Sequence, residues 1–169
     1  SSVSNRWKRI CPLNKNGSDF TCSARYLLKR PSDSEPIQYE LRIYSDQVSE
    51  PQAETWSNCK VAGDFIQIAG CVSGYENDVI AGGDDVYEQA RITFTKIKNL
   101  VEAAGGVMDD LIKVTIFVTD ITRREEVWKA RREFFTGDFP CSTLVEVSAL
   151  ARPGLAVEVE AHGFLGSSK

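Results

Sequence analysis

The stretch GGDDVYEQARITFTKIKNLVEAAGG (82–106) followed by LIKVTIFVTD (111–120) restricts the possible folds more than any other part of the chain. Val86, Ala90, Phe94, Ile97, Val101 and Ala104 recur at helical spacing and form one apolar stripe. Asp84 or Asp85 can cap the helix, and Gly105-Gly106 supplies a left-handed stop. The next segment is β-branched almost throughout, which predicts a strand. A helix that must bury one stripe and a strand that returns beneath it require a sheet to pack on.

The remaining pattern extends that unit. DFIQIAGCVSG (64–74) reads as a strand ending in glycines, and ITRREEVWKARREFFTG (121–137) as a second helix. Thr122 and Glu125 have capping-box spacing, and Gly137 marks the end. Two more strands, 143–148 and 155–164, flank the turn LARPG. The order β–α–β–α–β–β predicts an α+β fold, a single sheet with two helices on one face. Val157, Val159 and Ala161 then lie under the helices, with Glu158, Glu160 and His162 opposite. In 111–120, Ile112, Val114, Ile116 and Val118 share one face, and Thr115, Phe117 and Thr119 the other. A helix-free face bearing Phe117 and Leu144 needs a cover, and a second copy of the chain is the economical one. A homo-oligomer with clefts between subunits is the expectation.

Residues 1–50 differ in character from the domain that follows, 51–166. They are rich in Ser, Asn, Lys and Pro, and read as an irregular extension with an edge strand near 37–45. At 169 residues the chain can bury one real core. Its net charge of −4 argues against a nucleic-acid partner. The basic cluster Arg123, Arg124, Lys129, Arg131 and Arg132 is interleaved with Glu125, Glu126 and Glu133, as on a solvated helix face. No apolar run suits a membrane span and no secretory leader is visible, so a cytoplasmic protein is expected. Five cysteines without a CxxC pair suggest separate reduced thiols, with a Cys11–Cys22 bridge the less favoured reading. The single His162 has no metal-ligand spacing around it.

Three stretches carry a family resemblance: GDFIQIAG, EQARITFTKIKNLVEAAGGVMDDLIKVTIFVTD, and REFFTGDFPCSTLVEVSALARPGLAVEVEA. Over residues 56 to 165 the chain resembles the Rid (YjgF/YER057c/UK114) proteins, whose best understood members are enamine/imine deaminases. The resemblance implies a chorismate-mutase-like fold, a homotrimer with a β-barrel-like core, intersubunit clefts, and no metal or organic cofactor. It places Glu158 at the position of a water-orienting glutamate and keeps Gly70 at a strand end. Elsewhere the chain departs from the pattern. Ala69 stands for a serine, Cys71 for a glutamine, Trp56 near a tyrosine, Trp128 for an asparagine and Leu144 for a cysteine. Ser142 occupies the position of the arginine that clamps the substrate carboxylate.

A guanidinium fork holds a carboxylate through two parallel charge-assisted hydrogen bonds, which a serine cannot reproduce. Short imino acids are therefore poor candidates for the substrate. Trp56, Ala69, Cys71, Trp128 and Leu144 would line a more apolar cleft, with Ser142, Thr143 and Glu158 as its polar points. Arg131, Arg152 and Arg91 are candidate substitute cations, and nothing in the sequence selects among them. Glu158 is the candidate general base, its alternative being an exposed rim carboxylate. Cys71 fits a buried structural thiol better than a nucleophile, since no base stands near it in sequence. Two functions follow. One is a cofactor-free hydrolase or deaminase acting on an imine, enamine or related C–N bond. The other is a non-catalytic trimeric small-molecule-binding or regulatory protein. RNA cleavage, an older label for the family, is disfavoured by the acidic charge. The expected partners are a small-molecule ligand and other copies of the chain, with no membrane.

Overall fold

The computed structural model describes residues 40–76 and 79–168. A six-stranded sheet has the order β1-β2-β3-β8-β6-β7. Its strands are β1 (Glu40–Ile43), β2 (Cys59–Ala62), β3 (Phe65–Val72), β6 (Leu111–Val118), β7 (Cys141–Glu146) and β8 (Val157–Phe164). A short ribbon of β4 (Tyr75–Glu76) and β5 (Val79–Ile80) stands apart. All sheet pairings are antiparallel except β6–β7, which is parallel and needs the crossover that α2 (Arg124–Arg131) provides. The result is the α+β layering expected from the periodicity, a single mixed sheet with two helices packed on one face. Of the strand expected near 37–45, residues 37–39 lie outside the described part, as do Cys11 and Cys22. Residues Glu40–Ile43 form β1 at the sheet's outer edge, and Tyr44 and Ser45 lie beyond it.

Helix α1 (Val86–Ala103) follows from its stripe. Val86, Ala90, Phe94, Ile97 and Val101 are all buried against the sheet. Asp85 is the cap, its Oδ1 accepting from the Glu88 amide at 3.1 Å. Gly105 ends the helix at φ 86°, a left-handed conformation that glycine adopts without strain. The core lies between α1 and the inner sheet residues Ile66, Ile68, Val114, Ile116, Val157 and Val159, and Val127 and Ala130 of α2 extend it.

The second helix is shorter than its sequence pattern. Residues Ile121–Arg123 form a 3₁₀ turn, and Asp120 caps that turn in place of the expected Thr122. Asp120 Oδ1 accepts from the Thr122 amide at 2.9 Å and from its hydroxyl at 2.6 Å. The helix stops at Arg131 because the following aromatics leave it for the core. Phe134 stacks on Phe94 at 5.6 Å between ring centroids, and Phe135 meets Phe94 edge-on at 6.4 Å. Asp109 holds the exit by accepting from the Thr136 amide at 3.0 Å and from its hydroxyl.

Two expectations about strand faces are corrected. Ile112 is 44% exposed and does not face the helices. The β6–β8 register slips between Leu111 and Lys113, so Leu111 takes the inward place. Leu144 and Phe117 do not share a face. Leu144 pairs with Ile116 and packs against the core, whereas Phe117 pairs with Val145 on the open side. Phe65, Phe117, Val145 and Phe164 supply the apolar part of that open face, with the Phe65 and Phe164 rings 5.5 Å apart.

Candidate functional site

Glu158 sits on β8 with Val72 of β3 on one side and Phe117 of β6 on the other, all pointing to the open face. The β3–β8 register shifts between Ile68 and Cys71, and Gly70 lies in that irregularity. A Cβ on residue 70 would overlap the Glu158 carboxylate, so the glycine is what gives the side chain its place. The carboxylate is half-buried and forms no hydrogen bond with the described residues. Burial, and then the neighbouring Glu160, push its pKa up from the ordinary carboxylate value. His162, four residues further along β8, is about 13 Å away by strand geometry and contacts the Phe65 ring instead.

Cys71 turns from the open face into the core. Burial raises its thiol pKa to about 12; Lys96 opposes the shift and Glu158 adds to it. Such a thiol carries almost no thiolate at neutral pH, which suits structure rather than nucleophilic attack. The sequence reading missed Lys96. Its Nζ donates to the Val72 carbonyl at 3.0 Å, and burial lowers its pKa. The available signal was position: Lys96 stands three residues after the buried Thr93, on the flank of the apolar stripe. Trp56 is 57% exposed and its Nε1 donates to Asn58 Oδ1 at 3.3 Å. The Asn58 carbonyl accepts from the Ala69 amide at 2.9 Å, which keeps the tryptophan loop beside the Gly70 bulge.

The other sequence candidates lie on the edge strand β7. Ser142 and Leu144 face the helix side, since they pair with the inward Val114 and Ile116. Thr143 faces the opposite way, and its hydroxyl accepts from Lys113 Nζ. Arg131, at the last turn of α2, donates from Nη1 to Ser142 Oγ at 2.8 Å. Trp128 is half-buried on the same helix, three residues before Arg131, with the Arg124 guanidinium 5.8 Å from its ring centroid. The view of the basic cluster as wholly solvated is therefore corrected for Arg131, which packs inward, while Arg123 pairs with Glu126 at 2.7 Å on the surface.

One chain thus carries two separated groups. Glu158, Gly70 and the Trp56 loop lie at the β3–β8 irregularity; Ser142, Leu144, Arg131 and Trp128 lie at the β7 edge. From Glu158 to Ser142 is two strand spacings across and three residues along, about 14 Å, with the side chains on opposite faces.

The six-stranded sheet, its two one-sided helices and the β7 edge define a small α+β protein of a widespread type. Residues 47–164 match the family model described as Endoribonuclease L-PSP. The RutC family protein PH0854 of Pyrococcus horikoshii is 31% identical over 124 residues, covering 72% of this chain and 95% of that protein. A 2-iminobutanoate/2-iminopropanoate deaminase of Dermatophagoides farinae is 27% identical over 121 residues, covering 70% and 92% of the two chains. Among solved structures, protein PA3499 of Pseudomonas aeruginosa is 33% identical with a TM-score of 0.69, covering 77% of this chain and 95% of that one. Rv2704 of Mycobacterium tuberculosis, described as a YjgF/YER057c/UK114 family member, is 30% identical with a TM-score of 0.63, covering 73% and 98%. The chain belongs to this Rid (YjgF/YER057c/UK114) family.

Proposed function

We propose that the chain is a cofactor-free hydrolase of the imine or enamine deaminase kind, working at a cleft between subunits of a homotrimer. The observation that carries this reading is the Glu158 carboxylate, seated over Gly70, half-buried and engaged by no hydrogen bond from the described residues. A raised pKa brings a carboxylate closer to the range in which a general base works well. Glu158 accepts a proton from water as the water oxygen attacks the carbon of the protonated imine, giving a neutral amino alcohol. The amino alcohol takes that proton from Glu158 on nitrogen, and Glu158 then removes the hydroxyl proton as ammonia leaves, which gives the carbonyl product. The names of two relatives, both 2-iminobutanoate/2-iminopropanoate deaminases, support the reaction class.

The trimer is part of the proposal for a geometric reason. A ligand of ordinary size cannot touch Glu158 and the β7 edge of one chain at once, so a neighbour's edge is needed to complete the cleft. The open face bearing Phe117 and Val145 is the surface on which such neighbours pack. Short imino acids are poor substrates in this reading, since the strand position that would hold their carboxylate is Ser142.

The test is ammonia release from a panel of imines formed in situ from amino acids, aliphatic and aromatic. Wild type accelerates hydrolysis of at least one of them, and Glu158→Gln lowers that rate by about 10²-fold. Absence of acceleration for every imine, with ligand still bound, replaces this reading by a trimeric binding protein without catalysis. Among the described residues no helix is long and apolar enough to cross a membrane.

A further inference from the structure

The Arg131 side chain is half-buried against the β7 edge rather than free on the surface. It projects from the last turn of α2 toward the edge strand, and its Nη1 donates to Ser142 Oγ at 2.8 Å. Its Nε is buried with no hydrogen-bond partner among the described residues. No carboxylate among those residues pairs with it, although Arg42, Arg91 and Arg123 each have one. Glu146, on the same side of β7, is four residues from Ser142, about 13 Å along the strand. Its Oε2 accepts from the Ile121 amide at 2.8 Å. The guanidinium carbon of Arg131 stands 5.6 Å from the centroid of the Phe139 ring, which is 47% exposed. A half-buried cation that is hydrogen-bonded to a neutral hydroxyl and flanked by an aromatic ring is left with unmatched donors.

We propose that Arg131 is the anion-holding residue of this chain's cleft, with the Ser142 hydroxyl as its positioning partner, and that the ligand is an organic carboxylate with a ring-sized apolar group. The proposal deepens the reading of the cleft given above, and names the ligand class for it. The apolar group follows from the surroundings: Leu144 shares the strand face of Ser142, Phe139 lies beside the guanidinium, and Trp128 is on the same helix. The charge comes from the helix rather than from the strand, with the guanidinium resting against Ser142, and the exposed Phe139 ring beside it offers a surface for the apolar part of the ligand. Burial and the adjacent Arg132 lower the Arg131 pKa, and a guanidinium nevertheless stays protonated at neutral pH. Arg132 contributes a field of the same sign.

The measurement is calorimetric binding of phenylacetate and propionate, each against its neutral amide, to the full-length wild-type protein. Phenylacetate is expected to bind at least tenfold more tightly than phenylacetamide, and more tightly than propionate. Arg131→Met should abolish the acid-over-amide preference. Ser142→Asp places a carboxylate on the guanidinium from within the chain; it should lose phenylacetate binding while its melting temperature holds or rises. Equal affinity for acid and amide in wild type, no binding of either acid, or a preference that survives Arg131→Met overturns the proposal. Glu158→Gln separates the two readings, because it should lower hydrolysis about 10²-fold while phenylacetate is still bound more tightly than phenylacetamide. Carboxylate binding without turnover leaves the Arg131 assignment standing and removes the hydrolase.

Discussion

The Glu158 carboxylate lies against the bare Cα of Gly70 across the β3–β8 pair, so close that a Cβ at position 70 would overlap Oε1. Gly70 has no left-handed φ, so the backbone itself tolerates another residue there. Only the carboxylate has to move. Gly70→Ala is therefore expected to cost under about 1.5 kcal/mol of stability, because the obstructing atoms end a flexible side chain. The same change should lower imine hydrolysis at least tenfold, since small displacements of a catalytic group are expensive. Thermal melts and steady-state rates on the same preparation check both halves. An unaltered rate would show that the Glu158 position is not used in catalysis.

Glu158 has a raised pKa in the folded chain, chiefly through burial. Between its unfolded value, about 4.3, and the higher folded value, the native state binds more protons than the unfolded state. Stability from this group therefore falls as pH rises through that window. Glu158→Gln removes the dependence, so the variant should gain on wild type in urea midpoint between pH 4 and pH 7. A difference that stays flat, or runs the other way, contradicts the shift.

Cys59 and Cys71 are buried, and burial pushes both thiols up to about 12. Native protein treated with iodoacetamide at pH 8 should leave both unlabelled by peptide mass spectrometry. Both should react fully once the chain is unfolded in guanidinium. Labelling of Cys71 in the native protein would reopen a nucleophilic role.

Phe94 is fully buried, stacks on Phe134 and meets Phe135 edge-on, and those two residues carry the chain out of α2. Phe94→Ala should cost about 3–5 kcal/mol in urea unfolding, the usual cost of a core aromatic. The loss should exceed that of Asp85→Ala, which removes one cap hydrogen bond and about 1 kcal/mol.

Much of this architecture is legible in the residues because it rests on local periodicity. The α1 stripe, the Asp85 cap and the Gly105 stop are properties of neighbouring residues, and the structure forms all three. The second helix is shorter than its sequence pattern implies, since RREFF continues the helical spacing beyond Arg131. Phe134 and Phe135 gain more by packing on Phe94 than by extending the helix. Ile112 and Leu144 take faces other than the pattern implies, for different reasons. Period-2 alternation holds only while the register holds, and the β6–β8 slip at Leu111–Lys113 turns Ile112 outward. Leu144 faces inward because the β6–β7 register sets it beside Ile116, and alternation within one strand does not fix its register on another.

For the candidate site the division is sharper. The sequence by itself determined the chemistry available: Glu158, a glycine at position 70, a serine at 142 where the family resemblance implied an arginine, and three arginines with no reason to prefer one. Tertiary structure alone brought Arg131 to Ser142, because their distance depends on how α2 crosses from β6 to β7. It likewise put Glu158 over Gly70, through a bulge that no local pattern announces. Charge and residue type are written in the chain, but which side chains meet is set by register and by the packing of elements far apart in sequence.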